Sequence, residues 1–134
     1  MDIKTYTKLA SCTNLKEGSS ERARMQESLS NPDVAELMHH TVGMATEVGE
    51  LLDPLKKHFA YGKEVDWVNL GEELGDLLWY ISQASIVIEK HTGHDLSHWL
   101  SKNIEKLAAR YPKKFSSESA LTRVLSVERD ILES

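Results

Sequence analysis

The sequence is poor in the residues that cross-link or interrupt a chain. It has one cysteine, three prolines and seven glycines among its 134 residues. The single cysteine, Cys12, excludes an internal disulfide and a cysteine-based zinc site. Because proline and glycine destabilise helix interiors more than any other residues, their scarcity leaves room for long helices.

Long hydrophobic runs are also missing. No stretch approaches the roughly 18 apolar residues of a membrane span, and the first residues do not resemble a signal peptide. We therefore expect no membrane partner and a cytoplasmic location. The formal net charge of −5 argues against nucleic acid as a partner. The length of 134 residues is typical of one domain.

Apolar residues recur at helical spacing along the chain, and no run alternates as a strand would. Capping and breaking residues predict where the helices begin and end: Asn31-Pro32, Asp66, Gly93, and either Asp95 or Ser97. The predicted helices cover about residues 3–12, 31–53, 66–90 and 95–110, with a last one after residue 116. Short connections between them predict an all-α fold, an antiparallel bundle of four to five helices.

Four local expectations accompany this fold. Residues 13–30 form a loop or a loosely amphipathic stretch, and Tyr6 and Leu9 face inward. Pro54 ends or kinks its helix, since proline lacks the amide hydrogen that a helix interior needs. The helix over residues 66–90 is apolar on nearly every side of its central part, so it should be the most buried.

Two pairs of acidic residues stand at helical spacing. Glu47 and Glu50 form the first pair, and Glu73 and Asp76 form the second, each pair three residues apart. Residues at i and i+3 share one helix face, so each pair directs two carboxylates the same way. The 22 residues between Glu50 and Glu73 are enough for one helix to end and a second to return beside it. Four carboxylates can then converge.

The acid pairs lie on faces that are otherwise apolar. Glu47 continues the line of Leu37, Met44 and Leu51, and Glu73 leads into Tyr80, Ala84 and Val87. A carboxylate on a core-facing stripe is costly unless it is paired or bound to a metal. A solvated acidic face is the alternative interpretation of each pair. Hard oxygen donors favour Mg²⁺, with Mn²⁺ as a possible substitute.

The order of these motifs is similar to that of the MazG-like all-α nucleoside triphosphate pyrophosphohydrolases. Glu72-Glu73-Leu74-Gly75-Asp76-Leu77-Leu78 resembles the second acidic motif of that family, and Asn103-Ile104-Glu105-Lys106-Leu107 with Arg110-Tyr111-Pro112 resembles its basic helix end. The resemblance implies one MazG-like domain over residues 1–134. Its motif-bearing core covers about residues 31–115, and residues 116–134 form a C-terminal helix or tail. Thr46 stands where the family often has another acid.

The resemblance implies hydrolysis between the α- and β-phosphates, which releases a nucleoside monophosphate and pyrophosphate. Glu47, Glu50, Glu73 and Asp76 are the expected catalytic residues and metal ligands, and we expect either Glu47 or Glu50 to orient the attacking water as well. Asn103 and Lys106 resemble phosphate or sugar contacts. Family analogy also implies a homodimer or a dimer of dimers.

Two further residues are candidates for contacts with the substrate. Tyr80 shares the face of the second acid pair and can donate its hydroxyl to a phosphate, or it is a core tyrosine. Arg110 lies one turn beyond Lys106, and a solvated helix end is its alternative role.

Three other functions are compatible with parts of the pattern. The first is a phosphoribosyl-ATP pyrophosphohydrolase, which is closely related to the nucleoside triphosphate pyrophosphohydrolases. A di-iron bundle of ferritin type needs Glu-x-x-His motifs, whereas Asp76 and Glu50 occupy the corresponding positions here. A helical interaction module without chemistry would not respond to Mg²⁺.

Overall fold

The structure, a computed structural model, describes residues 1–112 and 114–134. Within these residues the chain is all-α and forms no strand, which confirms the predicted fold class. The described part has a 3₁₀ turn at Ser11–Thr13 and seven α-helices: α1 (Ile3–Ala10), α2 (Ser20–Leu29), α3 (Pro32–Tyr61), α4 (Trp67–Thr92), α5 (Leu96–Arg110), α6 (Ser117–Leu121) and α7 (Leu125–Glu133). None of the described helices is long and apolar enough to cross a membrane.

The starts of the three long helices follow the predicted caps. The Asn31 side chain accepts a hydrogen bond from the backbone N–H of Asp33 at 3.0 Å, and α3 begins at Pro32. Asp66 caps α4 and Asp95 caps α5 in the same way. Such caps satisfy backbone donors that have no partner within the helix. At the end of α4, Gly93 adopts a φ of 75°, a conformation that glycine reaches without steric cost.

Helix α3 differs from the prediction because it does not end at Pro54. It continues for two more turns to Tyr61, with Pro54 buried inside it. The proline removes one hydrogen bond, but Leu55, Lys56 and Lys57 are good helix formers and carry the helix onward. The end comes at Gly62, whose φ is 65°.

The helix count exceeds four to five at two places. Residues 20–29 of the polar segment form α2, capped by the Ser19 hydroxyl. The C-terminal segment forms two short helices rather than one, because the chain leaves helical geometry between Thr122 and Val124. Threonine and valine are β-branched and lose side-chain freedom in a helix, which favours a break there.

The chain divides into two compact units, Met1–His39 and His40–Ser134. The first contains α1, the 3₁₀ turn, α2 and the start of α3. Tyr6 and Leu9 in α1 are 58% and 59% exposed, so the prediction that they face inward is wrong. Helix α1 is only eight residues long and buries no residue, so the Tyr6 ring and the Leu9 methyl groups stay largely in solvent.

The second unit contains the small core. Ala84 and Val87, both in α4, are buried apolar residues, and they share a face with buried Glu73. The opposite side of α4 is open to solvent, where Leu74 is 58% and Leu78 is 59% exposed. The apolar centre of α4 predicted the most buried helix, yet its apolar residues on this side are exposed. Large apolar side chains remain available on that face.

Candidate metal centre

Three carboxylates from two helices meet in the second unit. Glu47 on α3 and Glu73 and Asp76 on α4 each place one oxygen so that all three oxygens lie within 4.8 Å of one another. Glu73 is buried, Glu47 is half-buried and Asp76 is exposed. The group therefore runs from the edge of the core to solvent. Solvent can reach its outer end, and its innermost carboxylate, that of Glu73, is buried.

A close approach of α3 and α4 stands one turn away from the carboxylates. The ring of Tyr80 lies on the backbone of Gly43, and a Cβ added at Gly43 would be 2.2 Å from Cε1 of Tyr80. Only glycine allows this contact without a shift of the ring. Glu47 lies four residues after Gly43 on α3, and Asp76 lies four residues before Tyr80 on α4. The glycine therefore sets the spacing of the two helices beside both carboxylates.

The protonation of Glu47 reflects this crowding. Partial burial raises the pKa of its carboxyl group above the ordinary value, and the negative charge of Glu50 raises it further. A hydrogen bond with the Glu73 side chain and the charges of Asp76 and Glu73 act in the same direction. Each of these effects disfavours a second or third negative charge in one place. The raised pKa of Glu47 favours its protonated form, which lowers the repulsion among the carboxylates when no cation is bound.

Asn69 holds Glu73 in place. Its side-chain Nδ2 donates to Oε1 of Glu73 at 2.6 Å, one helical turn before the carboxylate. The sequence analysis missed this residue, although its position four residues before Glu73 on the same face was a usable signal. Hydrogen bonds to ligating carboxylates fix their orientation.

Glu50, the fourth predicted ligand, lies outside the group of three oxygens. Its side chain is exposed, and it acts on Glu47 through its charge. The spacing alone does not explain this, because Glu73 and Asp76 are also three residues apart and both belong to the group. The structure therefore brings three of the four predicted carboxylates together, with Glu50 beside them.

The donor set suits a divalent cation. Within residues 1–112 and 114–134, no lysine, arginine or histidine forms an ion pair with Glu47, Glu73 or Asp76. The charge is thus uncompensated by the protein, as the raised pKa of Glu47 also indicates. Carboxylate oxygens are the donor type that Mg²⁺ and Mn²⁺ prefer.

Tyr80, a predicted substrate contact, belongs to an aromatic cluster. Its ring is half-buried and meets the Trp79 ring edge to face, with centroids 4.9 Å apart. The buried ring of His40 lies 6.2 Å from it. The residue stands one turn after Asp76, so it borders the carboxylates and also packs α4 on α3.

The predicted contacts on α5 have different environments. Asn103 is exposed and Lys106 is half-buried. Arg110 donates from Nε and Nη2 to the two carboxylate oxygens of Glu128 on α7, at 2.8 and 2.6 Å. Arg123 donates to Glu128 as well, at 3.1 Å. The sequence analysis missed Glu128 and Arg123, because nothing local in the sequence links them to Arg110.

The charges of this second group are balanced. The hydrogen bonds from Arg110 hold the pKa of the Glu128 carboxyl below its ordinary value, and the charges of Arg110, Arg123 and Lys106 lower it further. The same contact raises the pKa of the Arg110 guanidinium. Buried Glu128 therefore joins α7 to α5 as a charged, hydrogen-bonded anchor.

Comparison with known proteins agrees with the motifs. The model of one family, described as the MazG nucleotide pyrophosphohydrolase domain, matches residues 36–115. The matched region includes Glu47, Glu50, Glu73, Asp76 and the basic positions of α5. No curated protein and no solved structure matches the chain.

Proposed function

Because the chain belongs to the MazG nucleotide pyrophosphohydrolase family, we propose that it cleaves nucleoside triphosphates between the α- and β-phosphates. The products are a nucleoside monophosphate and pyrophosphate, and the reaction depends on Mg²⁺. Ribo- and deoxyribonucleotides are both candidate substrates. The family match itself identifies a nucleotide pyrophosphohydrolase domain.

One observation supports this proposal most directly. Glu47, Glu73 and Asp76 gather their oxygens within 4.8 Å, and no cationic side chain of the described residues pairs with them. A triphosphate brings several negative charges, which such a site repels unless divalent cations stand between them. The site is therefore suited to a substrate that arrives with Mg²⁺.

We assign Glu47, Glu50, Glu73 and Asp76 as the Mg²⁺ ligands, with Mn²⁺ as a substitute. Bound Mg²⁺ supplies charge neutralisation at the phosphates and a lower pKa for an attacking water. Asn69 keeps the Glu73 carboxylate oriented through its 2.6 Å hydrogen bond. Exposed Glu50, beside the other three, is placed to accept a proton from water.

Contacts to the triphosphate are proposed for Tyr80, Asn103, Lys106 and Arg110. Tyr80 lies one turn after Asp76, and its phenolic hydroxyl can donate a hydrogen bond to a phosphate oxygen. Lys106 and Arg110 supply positive charge on one face of α5. Arg110 already donates from Nε and Nη2 to Glu128, so we expect it to contribute least of the four.

A pyrophosphate-release assay tests the function. A panel of ribo-, deoxyribo- and base-modified triphosphates is incubated with the protein, with Mg²⁺ or with a chelator. We expect equimolar pyrophosphate and nucleoside monophosphate for at least one triphosphate, only with the metal present. Release of orthophosphate and nucleoside diphosphate would place cleavage at the other anhydride bond and contradict the proposal.

We also propose that the protein is a homodimer or a dimer of dimers. The buried apolar residues of the second unit are few, whereas an exposed stripe on α3 repeats at three- and four-residue spacing: Thr41, Ala45, Val48, Leu52 and Leu55. Spacing of this kind is typical of helix pairing. Leu52, 58% exposed, is the most open of its large residues.

Light scattering on the purified protein tests this assembly. We expect a mass of two or four chains, and we expect Leu52→Glu to shift it toward one chain. Asp53→Ala is the control and should leave the mass unchanged, because exposed Asp53 follows Leu52 directly and lies about 100° around the helix from it. A single-chain mass for the wild-type protein at micromolar concentration would contradict the assembly.

The remaining expectations are proposals of the same kind. We propose one functional domain over residues 1–134, a cytoplasmic location and no nucleic-acid partner. The formal net charge of −5 supports the last of these. The single cysteine, Cys12, is exposed and free, which fits a reducing compartment.

A further inference from the structure

A cavity of about 490 Å³ lies where α3 ends and α4 begins. Cavities of this size are in the range that holds small organic ligands. Its walls come from the last turns of α3, the connecting loop and the first turn of α4: Pro54, Lys57, Tyr61, Lys63, Asp66 and Asn69. The cavity belongs entirely to the second compact unit.

The loop that forms one wall is organised by its own hydrogen bonds. Gly62 ends α3 with a φ of 65°, and its backbone N–H donates to the carbonyl of His58 at 3.0 Å. Nδ1 of His58 lies 2.8 Å from the carbonyl oxygen of Lys63. On the other side, the Asp66 side chain accepts from the backbone N–H of Asn69 at 3.0 Å. The wall is thus fixed before any ligand arrives.

Asn69 connects this cavity to the candidate metal centre. It lines the cavity, and its Nδ2 donates to Glu73 at 2.6 Å. A carboxylate only accepts hydrogen bonds, so the amide nitrogen must face Glu73 and the orientation of the amide is settled. The amide oxygen Oδ1 receives no hydrogen bond from the other described residues. It keeps its acceptor capacity for a ligand.

The charges around the cavity suit a neutral ligand. Lys57 and Lys63 are offset by Glu64 and Asp66 in the same lining. Lys57 is also paired with Asp53, with Nζ and Oδ2 2.5 Å apart. A triphosphate needs a surplus of positive charge, and this cavity has none. The nucleoside is the part of the substrate that carries no formal charge.

Tyr61 offers the cavity an aromatic face. Its side chain lines the cavity while 65% of the residue remains exposed, so the ring is not covered by other side chains. Bases stack on such rings with little preference among sequences, because every base has a π face. We propose that this cavity binds the nucleoside of the substrate, with Tyr61 stacking on the base and Asn69 accepting a hydrogen bond from the nucleoside. The inference rests on the proposed function and adds the place where the uncharged end of the triphosphate binds.

The test separates the two ends of the substrate. Tyr61→Ala is assayed with the best triphosphate of the screen, with the corresponding nucleoside monophosphate and with pyrophosphate as competitive inhibitors. We expect KM and the Ki of the monophosphate each to rise about tenfold, as the loss of one stacking contact predicts. The Ki of pyrophosphate should stay within about twofold, since that ion has no base. Tyr61→Phe keeps the ring and should keep both constants.

Phe59→Ala is the matched control. Phe59 is an exposed aromatic residue two positions before Tyr61 on α3, and it does not line the cavity. We expect its KM and Ki values to equal those of the wild type. Because Tyr61 and Phe59 are both exposed, neither substitution removes a core contact, and unfolding is not expected.

The outcomes distinguish the inference from the function beneath it. If the wild type releases no pyrophosphate from any triphosphate, the proposed function fails and the inference fails with it. If the wild type is active and Tyr61→Ala leaves KM and the monophosphate Ki unchanged, the inference alone fails. An equal rise in the Ki of monophosphate and pyrophosphate would also overturn it, because the cavity would then act on the phosphates.

Discussion

Two clusters of charged side chains in the second unit carry negative charge in opposite environments. At Glu128, one buried carboxylate meets Arg110 and Arg123, and its pKa is held below the ordinary value. At Glu47, three carboxylates meet with no cationic side chain of the described residues among them, and the pKa of Glu47 is raised. The first cluster is complete within the chain. In the second, no cationic side chain of the described residues balances the negative charge.

The difference separates a structural role from a proposed catalytic one. A buried carboxylate with bidentate partners joins two elements and needs nothing further. Repulsion among converging acids without cationic partners lowers the free energy of unfolding, and such groups are typical of functional sites. The comparison therefore makes opposite predictions for the same chemical change, acid to amide, at the two places.

The largest expected effect is on turnover. Asp76→Asn keeps the shape of the side chain but removes one charge from the carboxylate group, so we expect kcat to fall about 100-fold or more. Pyrophosphate release measures it, and circular dichroism should show unchanged helicity. Glu72→Gln is the control, since Glu72 is exposed and outside the group. Retained activity in Asp76→Asn would remove Asp76 from the site.

The second effect is on stability at the balanced cluster. Glu128→Gln leaves Arg110 without its bidentate partner, and we expect Tm to fall by roughly 5–10 °C. Thermal unfolding followed by circular dichroism measures it. Glu133→Gln is the control, because Glu133 pairs with Arg129 at the surface and should change Tm little. An unchanged Tm in Glu128→Gln would show that α7 is held by apolar contacts alone.

A third prediction concerns the spacing of α3 and α4. Gly43→Ala places a Cβ against the Tyr80 ring, and overpacking of this kind costs about 1–3 kcal/mol. We expect Tm and kcat to fall together, since the carboxylates lie one turn away. Gly49→Ala is the matched control on the same helix, with no atom within 4 Å of the added Cβ. It should gain up to about 1 kcal/mol from helix propensity, and a similar loss in both variants would refute the role of the contact.

The smallest effect is on the pH dependence of stability. The folded-state pKa of Glu128 is lowered, so its contribution is present above the ordinary value of 4.5 and is lost as pH falls through the lowered pKa. The pKa of Glu47 is raised, so its contribution is present below 4.5 and is lost as pH rises through the raised pKa. Denaturant unfolding in a chelator, as a function of pH, measures both.

Glu128→Gln should weaken the acid-side loss of stability, and Glu47→Gln should weaken the loss on the rising side. Mg²⁺ should cancel the second effect and leave the first unchanged. If both substitutions shift the same limb of the curve, the contrast between the two clusters is wrong.

The features that local chemistry controls could be predicted from the sequence. Asn31, Asp66, Asp95 and Gly93 act through neighbours three or four residues away, so the boundaries they set follow from the printed order of residues. The acid pairs are local in the same sense. Their convergence needed one further assumption, that two helices lie side by side, and the structure supports it for three of four carboxylates.

What could not be predicted depends on contacts between distant residues. Arg110 and Glu128 are 18 positions apart, and no sequence pattern around either residue predicts that they pair. The exposure of Leu74 and Leu78 was equally hidden, because an apolar side chain on a helix does not reveal whether its own chain or another covers it. Helix α3 continues past Pro54 because the residues after it favour a helix. Helix propensity alone does not tell whether that preference exceeds the cost of the one hydrogen bond that proline removes.

That continuation has an effect on the backbone of the first acid pair. Within a helix, the amide hydrogen of residue 54 would bond to the carbonyl oxygen of Glu50, and proline has no such hydrogen. The carbonyl oxygen of Glu50, whose side chain lies beside the three carboxylates, therefore lacks the hydrogen bond that residue i+4 normally donates in a helix. As a neutral acceptor, it can take a hydrogen bond from a solvent molecule without adding to the negative charge of the acid pair.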